Sequence, residues 1–139
     1  MKDLHNNIHI PSATVTSEND DTAFVSPIVD IQGYESLEFI IGIGNIADAD
    51  ATFAVLVEEG DESNLSDAAA VADAHLLGTE ALAAFDFADD NAARKIGYVG
   101  NKRYVRCTVT PSNNASFAFV AIIPVQGHPA NAPTPNPPA

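Results

Sequence analysis

Tyr104-Val105-Arg106-Cys107-Thr108-Val109-Thr110 decides how this chain folds. Val105, Cys107 and Val109 share one phase, and Tyr104, Arg106, Thr108 and Thr110 share the other. Strict alternation is the mark of a strand with one face in a core. Pro111-Ser112-Asn113-Asn114 then supplies turn residues. After it, Ser116 to Val125 is nearly all apolar and reads as a second strand. Two strands around a four-residue loop predict a hairpin.

Upstream segments carry the same signal. Ile28-Val29-Asp30-Ile31 is a short apolar run closed by Gln32-Gly33. Leu37-Glu38-Phe39-Ile40-Ile41-Gly42-Ile43 is rich in β-branched and aromatic residues. In Thr52–Glu59, Phe53, Val55 and Val57 take one phase, with Ala54, Leu56 and Glu58 on the other. Ser66 to Phe87 is less clear. Ser66 before an alanine-rich run predicts one or two helical turns, and a short strand is expected near His75-Leu76-Leu77. Short strands without regular intervening helices predict an all-β fold, a β-sandwich or jelly-roll-like single domain. Its bounds are residues 22–126. Residues 1–21 are polar and read as an N-terminal arm. Residues 127–139 hold five prolines and read as an extended C-terminal tail, either a loose end or an arm for a neighbouring subunit.

The chain has 139 residues and a formal net charge of -13, from 19 acidic and 6 basic side chains. A surface that negative repels phosphate backbones and anionic headgroups, so neither nucleic acid nor membrane is an expected partner. The single cysteine, Cys107, excludes an intrachain disulfide and a cysteine-based zinc cluster. No secretory signal or membrane-spanning run is visible, so synthesis and assembly are expected in a cytoplasm.

Residues that suggest chemistry fall short of a site. His5 and His9 are four apart, but Asn6-Asn7 and Pro11 oppose a helix there. Asp48, Asp50 and Glu59 imitate the outer positions of a calcium loop. Phe53 stands where the tight-turn glycine belongs. A looser cation site from Asp48, Asp50 or Asp61 and Glu62 stays open. Gly42-Ile43-Gly44 lacks the third glycine of a dinucleotide fingerprint. Cys107 lies on an apolar phase and reads as core. No nucleophile elbow occurs, and with no Trp and only three Tyr there is little to build a sugar platform. The chain is therefore not expected to be an enzyme, nor to carry a cofactor or metal.

Five of the six basic residues, Arg94, Lys95, Lys102, Arg103 and Arg106, lie within thirteen positions. They read either as a docking face for an acidic partner or as local partners of Asp86, Asp89 and Asp90.

Ile96-Gly-Tyr-Val-Gly-Asn-Lys-Arg-Tyr-Val-Arg-Cys-Thr-Val-Thr110, Val29-Asp-Ile-Gln-Gly-Tyr-Glu-Ser-Leu-Glu-Phe39 and Leu77-Gly-Thr-Glu80 together resemble small head proteins of tailed bacteriophages. The resemblance covers most of residues 22–125. Members whose role is understood are capsid decoration, or cement, proteins. It implies a β-sandwich or jelly-roll core without catalytic residues. It also implies binding to the major capsid protein on the outer surface of the virion shell, often as a homotrimer at three-fold positions. The basic cluster and the arms are then the expected contacts. Two other classes stay open: a head–tail connector, tail or head-fibre component, and a β-sandwich module for sugar or calcium.

Overall fold

Thirteen consecutive residues, Tyr34–Ile46, form the longest strand, because β-branched and aromatic side chains recur there at every second position. The computed structural model describes residues 2–138. Among the described residues, twelve strands run in the order β1 (Ile8–His9), β2 (Thr14–Glu18), β3 (Phe24–Val25), β4 (Val29–Asp30), β5 (Tyr34–Ile46), β6 (Thr52–Gly60), β7 (Ala69–Ala70), β8 (Leu76–Leu77), β9 (Phe85–Asp86), β10 (Ala93–Tyr98), β11 (Tyr104–Ser112) and β12 (Ala118–Pro129). One α-helical turn, α1, spans Glu80–Ala83.

The fold is an all-β sandwich. The first sheet has the order β1-β12-β5-β10-β8, with β2 also pairing β12. The second has the order β3-β11-β6-β7, with β4 on β11 and β9 on β6. Every pairing is antiparallel. The core lies between the sheets. Leu37, Phe39, Ile41 and Ile43 of β5 meet Phe53, Val55 and Val57 of β6 and Val105, Cys107 and Val109 of β11. These are the phases that alternation predicts.

The hairpin is not formed. β11 belongs to the second sheet and β12 to the first, so residues 113–117 are an arch between sheets. Turn residues mark a reversal but do not say whether the chain returns to the same sheet. Here β11 finds a nine-residue partner in β6, and β12 finds β5. Asn113 takes the left-handed conformation that asparagine tolerates. Asn114 donates its backbone N–H to Asp21 Oδ1 (2.8 Å) and its Nδ2 to the Asp20 carbonyl (2.9 Å), which ties the arch to the β2–β3 connection.

The terminal arms also need correction. Residues 1–21 are not a free arm, because β1 and β2 both add to β12. Their apolar residues are sparse, so the pattern in sequence is faint. The backbone of β12 nevertheless offers two unpaired stretches that they fill. Pro124 sits opposite the gap between them, where the ladder is already interrupted. The boundary at residue 127 falls inside β12, which runs to Pro129. The tail then folds back. Thr134 is buried, donating its N–H to the Asn6 carbonyl (3.1 Å) and its hydroxyl to the Ile8 carbonyl.

Between 66 and 87 the helix is displaced. Thr79, not Ser66, is the N-cap, accepting the Leu82 N–H at 3.0 Å before α1. The alanines at 69 and 70 instead pair with Glu59 and Glu58 of β6. The short strand at Leu76–Leu77 stands where the sequence puts it.

Candidate functional site

The five basic residues do not form one cationic face. Arg106 lies on the outer side of the second sheet, across from Glu58, and its Nη2 donates to Glu58 Oε1 (3.0 Å). Lys95 lies on the outer side of the first sheet, in register with Ile40. Arg94 is turned to Asp89 (2.8 Å). Lys102 and Arg103 occupy the β10–β11 loop. Lys102 reaches Asp61 (2.6 Å), and Arg103 makes a two-pronged bridge to Asp30 (2.9 and 2.8 Å). Four of the five are therefore neutralised within the chain. The carboxylates that hold them come from segments distant in sequence, except Asp89, which the local-pairing reading named. Lys102 and Arg103 stay about half exposed and are the two of the four best placed to meet a partner.

The outer face of the first sheet carries a different surface. In the central strand β12 both phases are apolar, and β5 beside it adds Ile40 and Gly42 to the outer face next to the polar Ser36 and Glu38. Ile122 and Ile41 point to the core, while Ala121, Ile123 and Ile40 point out. Val15, on β2, extends this face at 58% exposure; Phe119, on β12, is 38% exposed and Leu77, on β8, is 57%. An antiparallel sheet with one solvated face alternates apolar and polar. Apolar residues on both phases are the signal for a covered face, and Ser116 to Val125 already shows it. The outer face of the second sheet differs. There Thr52 pairs Ser112, Ala54 pairs Thr110, Leu56 pairs Thr108 and Glu58 pairs Arg106, so the exposed Leu56 and Val25 sit among hydroxyl-bearing and charged side chains.

Glu38 and Lys95 are the charged residues among the paired outward positions of the first sheet. Partial burial raises the Glu38 carboxyl above its usual range, and the neighbouring Lys95 offsets part of that.

The acidic loops gather at one end. An open cleft of about 570 Å³ is lined by Asp21, Asp48, Asp50, Asn113 and Asn114. Asp48 spends its oxygens on backbone, accepting the Asp50 N–H (2.9 Å) and the Ala115 N–H (2.8 Å). Among the described residues, no three His, Cys, Asp or Glu side chains converge as a metal set. Asp61 is taken by Lys102, and its backbone N–H goes to Asp67. His9 stacks on Tyr34 with ring centroids 5.0 Å apart, and His5 starts a short 3-10 turn, so the two do not act as a pair.

Cys107 is fully buried, and burial pushes its thiol up to about 12, with the charge of Glu80 adding to the shift. The thiolate is the reactive species. A thiol titration at mildly alkaline pH is therefore expected to find no reaction in the folded protein and one equivalent after denaturation. Rapid labelling without denaturant would contradict the packing described.

Acid sensitivity follows from the loop carboxylates. Backbone donors hold Asp48, Asp67 and Asp89 below the usual value of 3.8, and the Arg103 guanidinium does the same for Asp30. Their contribution to stability is present above that value and is lost as pH falls through the lower folded values. Glu38 has the opposite sign, because protonation relieves its burial. Thermal melts are expected to change little from neutral pH down to about pH 5 and to fall steeply below 3.8. A melting temperature that declines already near neutral pH would refute this.

No family model matches the chain, and no curated protein does. Solved structures are similar to the chain at low identity. The Yersinia pseudotuberculosis-derived mitogen is 9% identical with a TM-score of 0.45, over 88% of this chain and 87% of that one. The CBM32 module of AlyQ, in complex with 4,5-unsaturated mannuronic acid, is 15% identical with a TM-score of 0.42, over 86% and 98%. The CBM22-1–GH10 modules of a Clostridium thermocellum xylanase are 10% identical with a TM-score of 0.45, over 92% and 28%.

Proposed function

We propose that this chain is a decoration, or cement, protein of a bacteriophage head. It binds the outer surface of the shell built from the major capsid protein and strengthens that shell without chemistry, as a homotrimer. The observation that carries this reading is the apolar outer face of the first sheet on a molecule of charge -13. A soluble monomer rarely leaves such a face uncovered, and contiguous apolar patches mark protein–protein contacts. The sequence resemblance supplies the assembly. The net charge suits a position outside the shell, away from packaged nucleic acid. Cementing requires area buried across subunit joints and many copies of one contact, so weak single contacts add through multivalency.

The polar part of the contact falls to Lys102 and Arg103, which are exposed at the β10–β11 loop. Arg94 and Arg106 serve the fold first. Arg106 is about three-quarters buried beside Glu58, and its Nε has no hydrogen-bond partner among the described residues.

The test is stoichiometry on particles reconstituted from the purified chain and its shell. One copy per shell subunit, or one trimer per three-fold position, is the expected result. A dozen copies or fewer would move the protein to the portal or tail, and no binding would remove the virion reading.

A further inference from the structure

Asn114 is 4% exposed, and its Oδ1 has no hydrogen-bond partner among the described residues. The amide is not reversed. Its Nδ2 faces the carbonyls of Asp20 (2.9 Å) and Glu18 (3.4 Å), where an oxygen would meet only acceptors. An orphaned oxygen on a buried amide costs free energy, and a bound water or ion relieves it. Asn114 lines the open cleft together with Asp21, Asp48 and Asp50.

Three connections meet at that cleft, and each carries the chain from one sheet to the other. Asp21 lies between β2 and β3, Asp48 and Asp50 lie between β5 and β6, and Asn113 to Ala115 lie between β11 and β12. Two of the carboxylates already reach across to the arch. Asp21 Oδ1 accepts the Asn114 N–H, and Asp48 Oδ2 accepts the Ala115 N–H, both at 2.8 Å. Among the described residues, no lysine or arginine lines the cleft. Four of the six basic side chains are held elsewhere, by Asp89, Asp61, Asp30 and Glu58. A water would satisfy Asn114 and leave like charges facing one another without balance. A cation satisfies the amide and balances the carboxylates.

We infer that this cleft binds one calcium ion, with Asp21, Asp50 and the amide oxygen of Asn114 as its protein ligands and water completing the shell. Every donor is an oxygen, which selects a hard cation. Asp48 adds charge while its oxygens stay with their backbone donors. The carboxylates do not converge as an all-acid cage, so neutral oxygens must share the ion. Calcium takes such mixed oxygens in flexible geometry, whereas magnesium demands a near-ideal octahedron. The ion joins three crossings between the sheets and closes one end of the sandwich. The site stands whether or not the chain binds a shell.

Calorimetric titration of the full chain with calcium chloride, at fixed ionic strength, tests it. One equivalent is expected to bind with a Kd of about 0.1–1 mM, the range of open sites with few charged ligands. Saturating calcium is expected to raise the melting temperature by about 4 °C, and EDTA to reverse the rise. Asp50→Asn removes charge at an exposed position and is expected to weaken binding at least about tenfold. Asp21→Asn keeps an acceptor for the Asn114 N–H and should act in the same direction. Glu62→Gln, in a separate acidic loop, should bind as the wild type does. Circular dichroism without calcium establishes that each variant is folded. Absence of saturable binding, or a melting shift that sodium chloride of equal ionic strength reproduces, would overturn the inference. So would folded Asp50→Asn and Asp21→Asn variants that bind calcium as tightly as the wild type. A chain that binds calcium but no shell would leave the site standing and remove the cement reading.

Discussion

Phe53→Ala is expected to cost about 3–5 kcal/mol of stability. Phe53 is fully buried near the start of β6. Its ring stacks on Phe85 with centroids 4.7 Å apart and planes within 9°. It also meets Phe24, with centroids 6.5 Å apart and the planes tilted by 46°. Phe85 is its register partner in β9, and Phe24 sits in β3, so one ring joins three strands of the second sheet. Alanine leaves a cavity that this cluster cannot close, because β6 is fixed by nine paired residues on β11. Stabilities of single domains are about 5–15 kcal/mol, so the variant would stay marginally folded. Denaturant titration checks the loss, with an unchanged slope marking a true change in stability. Phe87, 43% exposed, is the control, and its alanine variant should lie within about 1 kcal/mol of wild type. A Phe53→Ala loss below that level would mean the aromatic cluster is not a packing centre.

Gln126→Ala is expected to cost about 3 kcal/mol, part from the cavity and part from an abandoned carbonyl. Gln126 is 1% exposed on β12 of the first sheet. Its Nε2 donates to the Asp30 carbonyl (3.0 Å) on β4 of the second sheet. This polar bond crosses the apolar layer between the sheets. On the outer side of the same residue, the Asp30 carboxylate holds Arg103. Losing the amide therefore loosens β4 and the loop side chain that the proposed shell contact uses. Gln126→Glu provides the sharper test. A buried carboxylate facing a carbonyl is unfavourable when charged, so this variant should be weaker than Gln126→Ala at neutral pH. It should recover as the pH is lowered towards the carboxyl range, and a loss independent of pH would show that the bond between the sheets is not what position 126 supplies.

Strand identity was legible wherever one phase was purely apolar. Val105-Cys107-Val109 and Phe53-Val55-Val57 declare their inner faces because burial selects on every second residue. Sheet membership was not legible. The turn at Pro111–Asn114 is compatible with a hairpin or an arch, and the choice rests on which distant strand offers the longer partner. The terminal segments read as arms because residues 1–21 are polar and residues 127–139 are proline-rich; in the fold, Thr14–Glu18 has only a half-buried phase of Thr14, Thr16 and Glu18. They are held by backbone pairing, which leaves no side-chain signature. The basic cluster shows the same limit. Proximity in sequence gathers Arg94, Lys95 and Arg106, yet β10 and β11 lie in opposite sheets and carry Lys95 and Arg106 to opposite faces. The apolar outer face was present in the sequence as a strand without a polar phase, at Ser116 to Val125, and needed its neighbours β2 and β5 to become a surface.

The place of β12 governs the order in which the chain can take shape during translation. It pairs with β1, β2 and β5, so most of the first sheet waits for the last strand to be made. Ribosomes add roughly 5–20 residues per second, so β5 stays without that neighbour for several seconds after it appears. During that interval a long strand with one strongly apolar phase is open to pairing with other nascent chains. A protein needed in many copies per particle would meet this hazard at every round of synthesis. The acidic loops that flank the strands, by keeping unfinished chains apart, serve the newborn polypeptide before they serve the folded one.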